Sequence, residues 1–163
     1  MAMALTLPQT FKIVTGTTPM TTNAQITCDY VSLKYVHKAW IVTQLNQAAA
    51  NATTVQPMLA TAVAPAGAAA ITFAAACWEN ENVATNDILV KIADTTIYTA
   101  TADIANKLCV FQIDPSEVVG QVATADCMGC VLSASGELTN HGSVMYYLEE
   151  RYQQCTPPSA VVD

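Results

Sequence analysis

The chain reads as an all-β protein, an antiparallel β-sandwich or jelly roll with an extended N-terminal arm. Three observations point there. Short runs alternate apolar and polar side chains, the period of a half-buried strand. Turn-forming residues separate the runs. No segment between them is long and periodic enough to be the crossover helix that a parallel sheet requires.

Residues 1–25 carry Thr and Pro without periodicity, and the stretch TGTTPMTTNAQ has a coil composition. They read as an arm that orders on a neighbour or as a frayed leader. Residues 26–163 read as a single β domain with a C-terminal tail. In ITCDY, Ile26, Cys28 and Tyr30 alternate with Thr27 and Asp29. From Val36 to Leu45, Val36, Trp40 and Val42 share one face, and Ala39, Ile41 and Leu45 the other. Lys38 interrupts the first face, so this strand is expected to end at an edge or rim. NQAAANATT then reads as a connecting loop.

Further strands are expected over Thr54–Val63, Ala70–Trp78, Ile88–Ile92, Thr95–Thr101, Leu108–Asp114, Cys130–Ser133 and Ser143–Gln153. Pro57 has no N–H for a ladder and predicts an edge or a bulge. LCVFQI (108–113) is apolar on both faces and predicts a central strand. Asp114-Pro-Ser-Glu117 has an N-cap acceptor, a proline at the first helical position and a glutamate at the third. That predicts a short helix, stopped near Gly120. In the last strand Val144, Tyr146 and Leu148 oppose Met145, Tyr147, Glu149 and Arg151. An aromatic beside a charge pair is the chemistry of an interface rim or of a half-buried surface.

The composition narrows function. Of 163 residues, 52% are apolar and only 12% charged, against about 25% charged in ordinary soluble domains. Such a surface is cheap to desolvate and suits a protein that works inside an assembly. The net charge is −7, with six basic residues that form no cluster. Nucleic-acid binding and polybasic attachment to a membrane are therefore not expected. No apolar run is long enough to span a bilayer, and the start lacks a signal peptide's basic region. The chain is expected to be soluble and made in the cytoplasm, with Cys28, Cys77, Cys109, Cys127, Cys130 and Cys155 as free thiols.

Cys127-Met-Gly-Cys130 is the one recognisable ligand motif. Two thiolates at this spacing can chelate zinc, with Gly129 letting the backbone fold around it and His141, His37 or Cys155 completing the set. The pair can instead form a redox disulfide or remain ordinary thiols. His141 sits in the turn sequence TNHGS and reads as solvated. The acidic stretch Glu79-Asn-Glu81 with Asp87 lacks calcium-loop spacing and reads as a solvated loop. Phosphate loops and a nucleophile elbow are missing from the sequence. No enzymatic activity, cofactor or bound metal is expected.

The segments HKAWIVTQLNQAAANATTVQPMLATAV, CVFQIDPSEV and RYQQCTPPSAVVD resemble small structural virion proteins of tailed bacteriophages. The likeness runs over about residues 26–163 in strand texture and in the TPPSA ending. It implies a decoration or cement protein, made in the bacterial cytoplasm and placed on the outer capsid surface. Such a protein binds the major capsid protein lattice and stabilises the head, commonly as a homo-oligomer such as a trimer. The alternatives are a tail or head–tail connector protein and a metal-stabilised binding module. Tyr146, Tyr147 and Tyr152 are the candidate interface anchors. The N-terminal arm and the TPPSAVVD tail are expected to reach neighbours.

Overall fold

The structure, a computed structural model, describes residues 6–65, 67–104, 106–122, 124–152 and 159–161. Its strands pair as one long hairpin nested from the ends inward. β1 (Phe11–Thr21) pairs with β12 (His141–Glu150). β2 (Ile26–Thr27) and β3 (Val31–Ser32) pair with β11 (Cys127–Leu132). β4 (Val36–Asn46) pairs with β10 (Lys107–Ile113). β5 (Thr54–Ala60) pairs with β6 (Ala69–Ala70) and β9 (Tyr98–Thr99).

Folding that hairpin across itself joins β12 to β4 and β11 to β5. With β7 (Ala76–Asn80) and β8 (Val90–Lys91), the first sheet runs β1-β12-β4-β10-β7-β8, and the second runs β2-β11-β5-β6. All these pairings are antiparallel, and the arrangement is that of a jelly roll. The core lies between the sheets, where Ile41, Phe111, Tyr146, Leu148, Met128 and Leu132 are fully buried. Each such side chain contributes about 1.5–3 kcal/mol of burial.

The N-terminal segment departs from the expected arm. Phe11–Thr21 is an eleven-residue edge strand, so the β domain does not begin at residue 26. An edge strand has one partner and tolerates what a central strand does not. Pro19 stands in it, and its register to β12 shifts between Thr15 and Thr17 and again before Met20. Its threonines, which gave it a coil composition, fit a half-exposed strand. In the C-terminal tail, Ala160 is buried and its carbonyl accepts from Ser32 N–H at 2.8 Å. Residues 153–158, Cys155 included, and 162–163 lie outside the described residues.

One contact ties the two ends of the chain to the second sheet. The Tyr146 ring crosses β1 at Gly16, where a Cβ would sit 2.7 Å from the ring. The Tyr146 hydroxyl donates to Asp29 O at 2.8 Å, and Asp29 N–H donates to Gly16 O at 2.9 Å. Tyr146 is therefore a core residue and not an exposed interface anchor. Asp29 belongs to a bulge. β2 and β3 pair with β11 in registers one residue apart, so that Asp29 and Tyr30 together oppose Gly129. The Tyr30 ring fills the space above Gly129, 2.8 Å from where a Cβ would be.

Pro57 does not place β5 at an edge; the strand lies between β11 and β6. Its carbonyl accepts from Ile71 N–H, on the side away from β11. The proline nitrogen faces the same way, into the gap between the β6 and β9 pairings, so no bond to β11 is lost. β4 is also interior, and Lys38 stands opposite Glu149 near the end of the pairing. Trp40 and Val42 share a face as expected, whereas Val36, beyond a register shift, is buried. The loop after β4 is closed by buried polar groups. Gln47 Oε1 accepts from Thr53 N–H at 2.9 Å, and Thr53 Oγ1 bonds Thr22 Oγ1 at 3.1 Å. α1 (Leu7–Thr10) precedes β1, and α2 (Pro115–Gln121) follows β10. α2 runs through Gly120 because Pro115 and Val118 are buried.

Tyr146→Phe is expected to cost about 1 kcal/mol, because the Asp29 carbonyl loses its donor. Gly16→Ala is expected to cost about 1–3 kcal/mol through overpacking against the ring. Urea denaturation of both variants checks the order.

Asp114 caps α2, accepting from Ser116 N–H at 2.9 Å and Ser116 Oγ at 2.7 Å. These bonds hold its carboxyl below the ordinary aspartate value. Asp114→Ala is expected to lose about 1 kcal/mol at neutral pH. A lowered folded value means the contribution is complete above about pH 4 and fades as acid titrates the carboxylate. The difference between wild type and variant should therefore shrink in acid, which denaturation at a series of pH values measures.

Candidate functional site

The first sheet has a covered face and an uncovered one. Alternation sends Ala39, Ile41, Cys109, Phe111, Val144 and Leu148 into the core. It sends their neighbours outward in rows that run across the strands. One row is Thr15, Met145, Val42, Val110, Trp78 and Lys91, each opposite the next. The next row is Ile13, Tyr147, Trp40, Gln112 and Ala76. Phe11 meets Trp40 edge-on, with ring centroids 5.5 Å apart.

Among the described residues no third layer lies over these rows. Val42, Val110, Trp40, Trp78 and Tyr147 are half-buried, and Ile13 and Met145 are exposed. Charge is confined to the borders. Lys91 lies 5.9 Å from the Trp78 ring centroid and pairs with Asp94 at 3.2 Å, and Lys38 faces Glu149. Asp94, Asp114 and Glu117 line a hollow of about 320 Å³ at one corner. Large contiguous apolar patches at a protein surface can serve as interaction sites.

The three tyrosines expected to anchor an interface separate. Tyr147 belongs to the uncovered face, Tyr152 is 75% exposed just beyond β12, and Tyr146 is in the core. Trp40, Trp78, Val42, Val110 and Met145 were not foreseen as site residues. Their signal was present in β10, whose apolar residues on both faces predicted a central strand. β10 is central, but among the described residues only one of its faces has a sheet against it.

Cys127 and Cys130 do not converge. They lie three residues apart in one extended strand, and an odd separation sends side chains to opposite faces. Cys130 packs inward, and Cys127 sits with Tyr30 and Ala60 on the other side. Gly129, expected to let the backbone wrap a metal, instead makes room for the Tyr30 ring. His141 is exposed at the start of β12, its Nδ1 bonded to Thr139 O at 3.0 Å. Among the described residues no three metal-ligating side chains gather.

The other thiols are core groups. Cys77 and Cys109 approach to 3.8 Å between sulfurs. Hydrogen bonding to Cys77, then burial, pushes the Cys109 thiol up; hydrogen bonding to Cys28, then burial, does the same for Cys130. These two remain protonated, and the thiolate is the reactive form. The acidic loop is held internally, with Asn80 Nδ2 donating to Asn86 O at 2.9 Å. Glu81 accepts from Thr101 Oγ1, and its carbonyl accepts from Lys107 Nζ at 3.3 Å. Burial keeps the Lys107 ammonium below the ordinary lysine range, with Glu81 and Glu79 opposing.

The chain matches no protein-family description, no curated protein and no solved structure.

In a Cys155→Ala background, the five buried cysteines are expected to stay unreactive to a thiol reagent until the protein unfolds. Colorimetric titration with and without denaturant counts them; fast labelling of Cys127 or Cys130 in the native state would contradict their burial.

Proposed function

We propose that this chain is a structural protein of a tailed-bacteriophage particle, a capsid decoration protein that docks on the major capsid protein lattice through the outer face of its first sheet. The observation that carries the docking face is the strand β10, apolar on both sides in a sandwich that, among the described residues, covers one side only. Covering Trp40, Val42, Val110, Trp78, Met145 and Tyr147 removes apolar area from water with few charges to desolvate. The jelly roll is a fold used by capsid proteins, although it also serves other functions. The virion assignment itself rests on the sequence resemblance.

The mechanism is mass action. A protein that binds only the expanded lattice stabilises it by its binding free energy. Many copies, each with an interface of about 1,600 Å², act together against internal pressure.

Cosedimentation of the purified chain with mature capsids and unexpanded procapsids tests this reading. Stoichiometric binding to mature particles is expected. It should weaken by at least about tenfold in Met145→Glu or Val42→Lys, since a charge is then carried into an apolar contact. Met145 is exposed and Val42 half-buried on the outer face, so thermal melting of each variant verifies that it is folded before its binding is read. Absence of binding by wild type, or binding unaffected by both variants, would overturn the proposal.

A further inference from the structure

The first sheet ends in two unlike edges. The β1 edge carries Pro19 and two register shifts, devices that discourage a further strand. The β8 edge follows three exposed aliphatic residues in a row: Ile88 is 64% exposed, Leu89 43% and Val90 56%. Among the described residues no strand lies beyond β8. Ile92 N–H donates to Cys77 O at 3.0 Å, and Val90 stands opposite Glu79. Backbone groups alternate sides along an antiparallel ladder. Val90 and Ile92 therefore direct theirs to β7, and Lys91 directs its groups to the open edge. β8 itself is two residues long, and the same alternation carried back through Asp87–Leu89, as pairing would extend the strand, turns the groups of Leu89 and Asp87 outward as well.

The charges at this edge are self-complementary. When two copies of Asp87-Ile88-Leu89-Val90-Lys91 run antiparallel about a twofold axis at Leu89, Leu89 faces Leu89 of the second copy. Ile88 then faces Val90 of the second copy, and Asp87 faces Lys91 of the second copy. In this register the hydrogen-bonded positions are 87, 89 and 91, the positions that turn outward when β8 extends back to Asp87 with unbroken alternation. A lysine on an edge strand ordinarily repels another strand. Here the aspartate four residues earlier turns it into a pairing charge. Lys91 already meets Asp94 and the Trp78 ring, exposed contacts that hold it on the sheet's outer side and leave it able to bridge.

We propose that the chain pairs with a second copy of itself, β8 to β8 across a twofold axis at Leu89, joining two six-stranded sheets into one continuous sheet. A twofold contact uses the same patch on both copies and closes at the dimer. The pairing stands independently of the virion reading, and it leaves the outer sheet face of each copy free for a lattice.

Sedimentation equilibrium of the full chain over a concentration series is the test. A monomer–dimer equilibrium is expected for wild type. Asp87→Lys alone and Lys91→Glu alone should each weaken it by about tenfold or more, because both cross-axis pairs become repulsive. An equimolar mixture of the two variants should recover a dimer, which only this register explains. Leu89→Pro, which removes the central outward N–H, should also abolish pairing. Thermal melting verifies that each variant is folded. A monomer at every concentration, a trimer, or a dimer unmoved by both charge reversals would overturn the proposal.

Discussion

A tyrosine hydroxyl in a dry core must find an acceptor, and much of this fold is arranged around the one that Tyr146 finds. Its partner, the Asp29 carbonyl, is displaced toward the first sheet because Asp29 and Tyr30 share a bulge opposite Gly129. Reaching it takes the ring across β1, and only a glycine leaves space there. The same aspartate donates its N–H to the Gly16 carbonyl. One side chain thus fixes the first strand, the last strand and the bulged strand of the opposite sheet. An unsatisfied hydroxyl at this depth would cost about 1–3 kcal/mol, so the bulge and the two glycines act as one unit.

With that joint in place, the first sheet becomes a broad plate fastened on one side. Its inner side takes the core. Its outer side presents tryptophan, tyrosine, methionine and valine in cross-strand rows, with charge only at the borders. The plate's two edges differ in the same spirit. Proline and register shifts blunt β1, whereas β8 and the residues just before it expose Ile88, Leu89 and Val90 between Asp87 and Lys91. Face and edge are separate surfaces, so one copy can meet a lattice and a second copy at once.

The legible parts of the sequence were those in which side-chain alternation and burial coincide. β4, β10 and β12 alternate over most of their length and are close to where the pattern placed them. The helix cap at Asp114 was readable because capping is local. β1 was not, because an edge strand needs no strict alternation and its threonines, proline and glycine resemble coil. Cys127-Met-Gly-Cys130 was misread for the opposite reason. The spacing suits a loop that folds on itself, but the segment is an extended strand whose glycine serves the Tyr30 ring.

Alone, the sequence determined that the chain is all-β, that β10 is central, and that the surface carries little charge, because these follow from local periodicity and composition. It did not determine which apolar face would be covered. Alternation states that neighbouring side chains point to opposite sides of a strand; it says nothing of which side receives a second sheet. Tertiary structure made that choice through contacts such as Tyr146 with Asp29, 117 positions apart in the chain. It buried Tyr146 and left Trp40, Val42 and Tyr147 on the uncovered side, since a single sandwich can cover only one face of a sheet.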